Sequence, residues 1–381
     1  MRKIIIVSLI SVVCIALLFA FFKTSSVEEK KLEIGNNMET EKDIELESSD
    51  EVTIVPTMKD KIKLDSLWCC TFQLVWNDMK NNIVEKDIVF NPQEKMAENL
   101  NKEEFTENMI SEDYYYKKCG LKTVELKEEI EKGILEKFNQ KSVILDDFDW
   151  SEDELDSGND ENARYFLYTM LYRKFEFLKE FDKLKSGKFG KYYDNINYFG
   201  LDSSTDDEVG DQISVLYYNS TDDFAISINT KNQDEVIFVK NPKGNNFEEI
   251  YNSMNKKVNS YYGNRHFEDI DEFKAPVLKF REKKEYEELE GKVFEVGNPL
   301  KGNAIIKKAI QSIELSLDEK GGEIKSEAAL DVLIESAMVM EEETIEPRYF
   351  YLDDTFAIFL REYGKEKPYF AGIIDDITKF Q

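Results

Sequence analysis

A thiol and an imidazole are the side chains of this sequence that could form a nucleophilic pair. Cys70 precedes an aromatic-rich segment, and His266 is the only histidine of the chain. In a papain-like enzyme the thiol attacks a carbonyl carbon and the imidazole removes the thiol proton. His266, however, lies in a polar, loop-like stretch, and adjacent Cys69 and Cys70 are typical of small buried residues in a helix. The sequence therefore favours a structural role for Cys70 over a catalytic one.

Carboxylates are abundant, but their positions do not indicate catalysis. The pairs Asp353-Asp354 and Asp375-Asp376 lie at predicted loop or strand ends, where solvated turns explain them. The run 156–160 is rich in Asp and Asn, but it lacks the ligand spacing of a calcium-binding EF-hand. A zinc site built on paired histidines is excluded because there is one histidine. We expect no enzyme activity, no metal and no cofactor.

Charge and composition limit the partners. The formal net charge is −28, and 41% of the residues are hydrophobic. Phosphate backbones and anionic lipid surfaces are bound by clustered Lys and Arg, so neither nucleic acid nor a charged membrane surface is an expected ligand. The apolar content is sufficient for a large core, and we expect a monomer.

The N-terminus has the pattern of a membrane anchor. Arg2 and Lys3 precede an uncharged run from Ile4 to Phe22, which as a helix crosses about 28 Å of hydrocarbon. The C-terminal end of this run lacks the small residues that a signal peptidase site needs. The positive-inside rule places the remaining chain outside the cytoplasm. We therefore predict an anchor at 1–23, or secretion if the segment is cleaved.

The rest of the chain divides into a spacer and a folded part. Residues 24–60 are dominated by Glu, Asp, Ser and Lys with few aromatics, as in unfolded linkers. Residues 61–381 form the predicted folded domain. Its three cysteines, Cys69, Cys70 and Cys119, are an odd number that does not indicate a disulfide framework.

Residues 321–335 sort by parity into two chemically different faces. Even positions from Gly322 to Ile334 are small or apolar, whereas charged residues such as Lys325 and Glu327 occupy odd positions. Strict period-two alternation predicts a half-buried strand. The same residues are good helix formers, so propensity and periodicity disagree. We infer a segment with two conformations, a loop or helix in one state and an inserted strand in another.

The flanking segments carry a family resemblance. Residues 312–323 predict a strand that runs through an acidic turn into the alternating segment, and 351–376 predict a hairpin. Together they resemble the C-terminal region of the serpins, a family of protease inhibitors. Leu317 to Gly321 is similar to the serpin proximal hinge, Phe350 and Phe356 fit the spacing of its distal phenylalanine pair, and 370–374 fits its last buried strand.

The resemblance implies a fold, a mechanism and a set of site residues. The implied fold is α+β, with mixed β-sheets, a bundle of helices and an exposed reactive-centre loop. A serine or cysteine protease cleaves this loop, and the hinge then inserts into a sheet and traps the protease. The implied hinge residues are Glu319, Gly321, Gly322, Glu323, Ser326, Ala328 and Ala329. The implied scissile bond is Glu335–Ser336, with Met338 and Met340 as alternative bait residues.

Two readings of the hinge stay open. Its inward positions remain uncharged, which favours insertion, because a buried charge costs several kcal/mol. Ile324 is bulky for an inward position and could slow insertion, which makes the chain a substrate. The alternative function is a non-inhibitory serpin-fold interaction module on the cell surface.

Further elements follow from periodicity. An amphipathic helix is predicted from Ile62 through Trp68 to Met79, then a short strand at 86–90, and a helix that opens at Asn91-Pro92. The serpin Ser-Pro-x-Ser cluster falls at this last position, and here both serines are missing. The remaining predicted elements are a helix at 126–138, a central strand or buried helix at 165–182, strands at 213–219, 223–231 and 234–241, a helix containing Phe247 to Val258, and a strand at 275–280.

Overall fold

The computed structural model describes residues 46–48, 50–152, 155–156, 163–191, 193–202, 207–296, 302–325 and 346–381. The chain divides into two compact units, Met1–Asp43 and Ile44–Gln381. The first unit, with the predicted anchor at 1–23, lies outside the described residues. Within the described ranges, no helix is long and apolar enough to cross a membrane.

Strands predominate over helices. The described α-helices are α1 Thr71–Asp78, α2 Lys95–Leu100, α3 Val124–Phe138 and α4 Phe247–Ser260, and a π-helical turn, Met79–Val84, extends α1. The first strands are β1 Thr53–Ile54, β2 Ser66–Cys69, β3 Tyr115–Leu121, β4 Tyr165–Leu171, β5 Arg173–Glu176, β6 Asp182–Phe189, β7 Tyr193–Leu201, β8 Ile213–Ser220, β9 Asp223–Asn229 and β10 Asp234–Lys240. The others are β11 Glu272–Pro276, β12 Leu278–Glu285, β13 Val293–Val296, β14 Gly302–Ile305, β15 Ile310–Asp318, β16 Gly321–Ile324, β17 Tyr349–Tyr351, β18 Phe356–Glu362 and β19 Phe370–Ile374.

The main core is built on a seven-stranded sheet with the order β1-β2-β19-β18-β10-β9-β8. All five residues of β19 are buried, as are all residues of β18 except Arg361. A central strand covered on both faces must be apolar at both parities, and this explains the continuous apolar runs at 356–360 and 370–374. The predicted C-terminal hairpin is thus confirmed, and Phe350, Phe356 and Phe370 are fully buried.

Two four-stranded sheets pack around this core. One has the order β17-β11-β7-β6 and the other β12-β15-β16-β5, while β3 pairs with β4 and β13 pairs with β14. The α+β fold class with mixed sheets, predicted from the sequence, is confirmed. In the described residues helices are few, and the longest of them is α3, whose buried stripe Leu126, Ile130, Ile134 and Phe138 has helical spacing.

Several predicted elements are confirmed. The helix at 126–138, the three antiparallel strands between 213 and 241 and the helix after the turn at 242–245 all form. Residues 165–182 contain β4 and β5, so the buried-helix alternative is wrong. The predicted single strand at 275–280 is wrong, because Pro276 ends β11 and Leu278 begins β12 in a different sheet.

The N-terminal elements differ from prediction. The segment predicted as one helix from Ile62 to Met79 is divided, because β2 takes Ser66–Cys69 as a neighbour of β19 and the helix begins only at Thr71. No strand forms at 86–90 in this described part of the chain. Pro92 does not open the next helix, which begins three residues later at Lys95.

The folded unit also reaches further toward the N-terminus than the predicted boundary at residue 61. β1 pairs with β2 in parallel, and Ile54, Val55 and Met58 are buried in the main core. The apolar residues at the end of the acidic spacer are therefore part of the core.

Candidate functional site at an inserted strand

The first residues of the alternating segment form the inner strand of a sheet. β16 pairs antiparallel with β15 on one side and with β5 on the other. β15 and β5 are thus parallel to each other, with β16 between them. A hairpin turn at Glu319 and Lys320 returns the chain from β15 into β16. Residues 321–324 are thus a strand, as their alternation predicts, and insertion of the rest of the segment stays a prediction.

Two glycines allow β16 to approach β5 closely. Gly321 has a φ of +141°, and a Cβ there would lie 2.2 Å from the Phe175 carbonyl oxygen. A Cβ on Gly322 would lie 2.6 Å from the Phe175 ring and 2.7 Å from the Ser316 carbonyl oxygen. Larger residues at these positions would displace the strand. The glycines of the predicted hinge therefore have a packing role.

The side chains of β16 follow the predicted parity. Ile324 is fully buried opposite Leu315 and Arg173, which are also fully buried. Glu323 lies opposite Ser316 and Lys174 and is partly exposed. The bulky Ile324 is therefore accommodated in the core and faces inward, as an even position should.

Beyond Ile324 the two outer strands continue, and none of the described residues pairs with both of them; we call the space between them the slot. In the described residues β4 pairs only with β3, and the 310–314 part of β15 pairs only with β12. A cavity of about 1230 Å³ lies there, lined by both strands and by residues of α1. The Lys325 amide donates to the Glu314 carbonyl oxygen at 3.3 Å, which continues the β16 register toward the cavity. Among the described residues, these two strand edges have no partner, which is what an additional strand needs.

The floor of the slot carries a buried hydrogen-bond network centred on Gln311. Its Nε2 donates to the Cys69 carbonyl oxygen at 3.1 Å and to Thr71 Oγ1 at 3.0 Å. The Tyr286 hydroxyl donates to Gln311 Oε1 at 2.7 Å. This network ties β15 to the start of α1 and contains none of the residues 91–94, where the serpin serines are missing. In the sequence, Gln311 is a polar residue at an inward position of the alternating strand 310–318, and this could have indicated a buried hydrogen-bond network.

The turn that leads into β16 is fixed by Glu319. This side chain is buried and pairs with Lys183 Nζ at 3.0 Å, and its carbonyl oxygen accepts from the Phe181 amide at 2.9 Å. Burial alone would raise the pKa of the Glu319 carboxyl, but a backbone hydrogen bond and Lys183 outweigh burial and lower it. The carboxylate is therefore charged at neutral pH and holds the turn.

The chain re-enters the fold through Arg348. Its guanidinium is bound to the buried Asp271 carboxylate, with Nη2 to Oδ2 at 2.6 Å, and Nη1 donates to the Asn264 carbonyl oxygen at 2.8 Å. Phe350 follows and packs edge-on against Tyr218 and Phe224. The chain is thus held by buried contacts on both sides of residues 326–345.

The remaining predicted site residues lie outside the described residues. These are Ser326, Ala328, Ala329, Glu335, Ser336, Met338 and Met340. Their hinge and bait roles stay predictions.

The alternative catalytic pair has an unsuitable environment. Cys70 is fully buried, and burial raises the pKa of its thiol well above the ordinary value. His266 is exposed, in a stretch bridged to Ser214. A protonated, inaccessible thiol is a poor nucleophile. The described residues also hold no group of three or more His, Cys, Asp or Glu arranged to bind a metal ion.

Comparison with known proteins gives structural neighbours only. No family model and no curated protein matches the chain. Similar solved structures include Serpin48 of the insect Tenebrio molitor, 14% identical over 68% of this chain and 75% of that chain, TM-score 0.38. Others are a cleaved Serpin 42Da, 14% identical over 69% and 76%, TM-score 0.41, and thyroxine-binding globulin with thyroxine, 12% identical over 79% and 89%, TM-score 0.41. Two of these structures are named as serpins, the family that the sequence resembles.

Proposed function

We propose that this protein is a serpin-like protease inhibitor that acts by loop cleavage and strand insertion. The observation that carries the proposal is the position of β16, which lies as the inner strand between β15 and β5 and points toward the cavity between β4 and β15. A strand added there satisfies the free edges of β4 and β15, so insertion has a driving force.

The register of β16 defines what insertion would bury. Each step forward from Ile324 is a step back along both neighbouring strands. Ser326 would lie between Ile313 and Leu171, and Ala328 would lie between Gln311 and Thr169. Both are small, so they fit the buried side of the sheet without a charge.

The outward side would gain complementary charge. The Lys325 backbone already lies next to Glu314, and the same register would place Glu327 between Ser312 and Met170, both half-buried. Exposed pairs of this kind contribute little to stability, but they do not oppose insertion. The alternating sequence is therefore compatible with a full inserted strand.

The proposed partner is a serine or cysteine protease that cleaves between 335 and 340. The proposed location is outside the cytoplasm, with 1–23 as membrane anchor, and the protein acts as a monomer. Fractionation of cells into membrane and soluble parts tests the anchor separately from inhibition.

The deciding experiment is incubation of the full chain with chymotrypsin, elastase, a glutamate-specific endopeptidase and papain, followed by denaturing gels. A protease-sized adduct that survives denaturation, with a cut within 331–341, is the expected result. The cut chain should also unfold at a considerably higher temperature than the intact chain, because insertion fills the slot. Clean cleavage with no adduct and no gain in stability would contradict the proposal and leave the non-inhibitory interaction module.

A further inference from the structure

Three ionisable side chains of the core lie together beside the hinge strand, and the proposed mechanism uses none of them. Asp234 begins β10 and Glu362 ends β18, and the two residues are direct partners in the antiparallel register of these strands. Arg173 of β5 donates through Nε to Asp234 Oδ2, and Arg173 is also the direct partner of Ile324, the last residue of β16. Asp234, Glu362 and Arg173 are 1%, 4% and 0% exposed. We call these three residues the buried charge cluster.

The charges of this cluster do not balance when both carboxyl groups are ionised. Residues that lie directly opposite each other in an antiparallel sheet project to the same face, so Asp234 and Glu362 share one side of the sheet. Among the described residues, Arg173 is the only cation that forms an ion pair with either carboxylate. The Glu362 oxygens accept instead from the Ser111 amide and hydroxyl. An unmatched negative charge in the core is unfavourable, and the uptake of one proton removes it.

Asp234 is the member of the cluster that takes up the proton. Burial is the largest effect on its carboxyl and raises the pKa to about 7, although Arg173 opposes this shift. The Tyr369 hydroxyl, which donates to Asp234 Oδ1 at 3.0 Å, also lowers this pKa, whereas the charge of Glu362 raises it. The ring of Tyr114 lies over the guanidinium. Burial raises the pKa of the Tyr114 phenol to about 12 and that of Tyr369 well above its ordinary value, so both hydroxyls stay neutral.

The proton on Asp234 is linked to the position of the hinge strand through Arg173. The guanidinium is held by Asp234 and, through Nη2, by the Asn232 carbonyl oxygen at 3.3 Å. Its Nη1 atom is buried without a hydrogen-bond partner in the part of the chain that the structure describes. An opening at Arg173 and Ile324 that admits water would hydrate Asp234 and return its pKa toward the ordinary value. The carboxyl then loses its proton, so rising pH favours this opening.

We propose that the buried charge cluster is a proton-controlled lock on β16, which holds the strand in slightly acid solution and opens more readily as the pH rises through neutrality. The stability that the bound proton contributes is full below the unfolded carboxyl pKa of about 3.9, and it is lost as the pH rises through the folded pKa of about 7. The inference goes beyond the proposed function, because it concerns the intact chain and its test needs no protease.

The test compares the full parent chain with Asp234→Asn and Glu362→Gln at pH 6 and pH 8. Asparagine at 234 keeps the shape of the protonated side chain and does not titrate. Glutamine at 362 leaves one carboxylate for one guanidinium, so the charges balance without a proton. His266→Gln is the control, because it removes the only histidine, an exposed side chain of the type that ordinarily titrates near neutral pH. The measured quantities are the unfolding equilibrium constant in urea and the hydrogen-exchange rate of the Ile324 amide, corrected for the intrinsic effect of pH on exchange.

In the parent chain the unfolding constant should rise about tenfold from pH 6 to pH 8, because a carboxyl with a pKa of about 7 releases most of its proton over this interval. Exchange of the Ile324 amide should become faster in the same direction. Asp234→Asn and Glu362→Gln should flatten both pH dependences, and His266→Gln should keep them.

Three results would overturn the lock: equal unfolding constants of the parent at the two pH values, a pH dependence that persists in Asp234→Asn, or exchange of Ile324 that does not change with pH. Each of them would leave loop cleavage and insertion untouched. Should one of the two cluster variants fail to fold, the parent and the other variant still decide the question.

Discussion

Ile324 of β16 lies directly opposite Arg173 of β5, and the Arg173 guanidinium is fully buried against the Asp234 carboxylate. The rings of Tyr114 and Tyr369 lie 5.0 Å and 5.3 Å from this guanidinium. Because Asp234 opens β10 of the seven-stranded sheet, the ion pair ties the strand beside the hinge to the main core. The last residue of β16 is thus placed where two sheets are joined.

Breaking this pair should be costly. Arg173→Met leaves the Asp234 carboxyl buried without its cation, and we expect a loss of about 3–5 kcal/mol in the free energy of unfolding. Replacing both partners, as in Arg173→Met with Asp234→Leu, should recover much of the loss because no buried charge remains. Urea denaturation of the three proteins measures both effects. Equal stability of the single and double variants would contradict this account.

A larger side chain at position 322 should displace β16 from the sheet, because Gly322 lies close to Phe175 and Ser316. Gly322→Val places methyl groups where the Phe175 ring and the Ser316 carbonyl oxygen lie, 2.6 Å and 2.7 Å from the Cβ position. Glu323→Val, the control, changes the neighbouring side chain on the outer face. Hydrogen exchange of the Ile324 and Lys325 amides should speed up at least tenfold in the first variant and stay slow in the second. Unchanged protection in Gly322→Val would show that β16 is not held by this packing.

The local pattern predicts β16 well, but it cannot identify the neighbours of that strand. Alternation at 321–335 indicates one buried face, and the structure buries Ile324 on that face. Pairing with β5, almost 150 residues earlier, depends on tertiary packing that no local pattern contains. The sequence also does not indicate that Arg173 is buried, because its partner Asp234 lies about 60 residues away in another predicted strand.

Residues 86–90 do not form the predicted strand, and the hydrogen bonds of their backbone explain why. Ile88 and Phe90 are buried and Val89 is 60% exposed, so the alternation is real. The backbone is satisfied by side-chain amides instead of a neighbouring strand: Asn101 Oδ1 accepts from the Ile88 amide, Asn101 Nδ2 donates to the Ile88 carbonyl oxygen, and Gln93 Oε1 accepts from the Phe90 amide. Period-two burial alone does not distinguish this arrangement from a β-strand.

The ion pair of Asp353 with Lys240 should make stability depend on acid pH. Burial alone would raise the pKa of the Asp353 carboxyl, but Lys240 and Lys274 outweigh burial and lower it. A lowered carboxyl pKa adds stability above the unfolded value of about 3.9, and this stability is lost as pH falls through the folded value. Asp353→Asn should therefore be less stable than the parent chain at pH 7, and the difference should shrink below about pH 4.

Comparing Asp353→Asn with Lys240→Met distinguishes the contributions of the two residues of this ion pair to stability. The Lys240 side chain is only 2% exposed, whereas that of Asp353 is 35% exposed. Asp353→Asn leaves a buried ammonium group without its nearest anion, while Lys240→Met leaves an accessible carboxylate that keeps Lys274 at 3.1 Å. We expect Lys240→Met to lose less stability than Asp353→Asn, by about 1–2 kcal/mol at pH 7. Thermal or urea unfolding at pH 7 and pH 3 tests the order, and the reverse order would contradict it.

The parity of the inserted strand can be tested directly at Ala328. In an inserted strand that continues the β16 register, Ala328 would face Gln311 and Thr169 on the buried side, and Glu327 would face the opposite side. Ala328→Glu would bury a carboxylate at a cost of several kcal/mol, enough to stop insertion. Loop cleavage should proceed at the parent rate, while the adduct and the gain in thermal stability after cleavage disappear. Glu327→Gln, the neighbouring control, should retain both, and loss of the adduct in both variants or in neither would show that the register does not continue beyond Lys325.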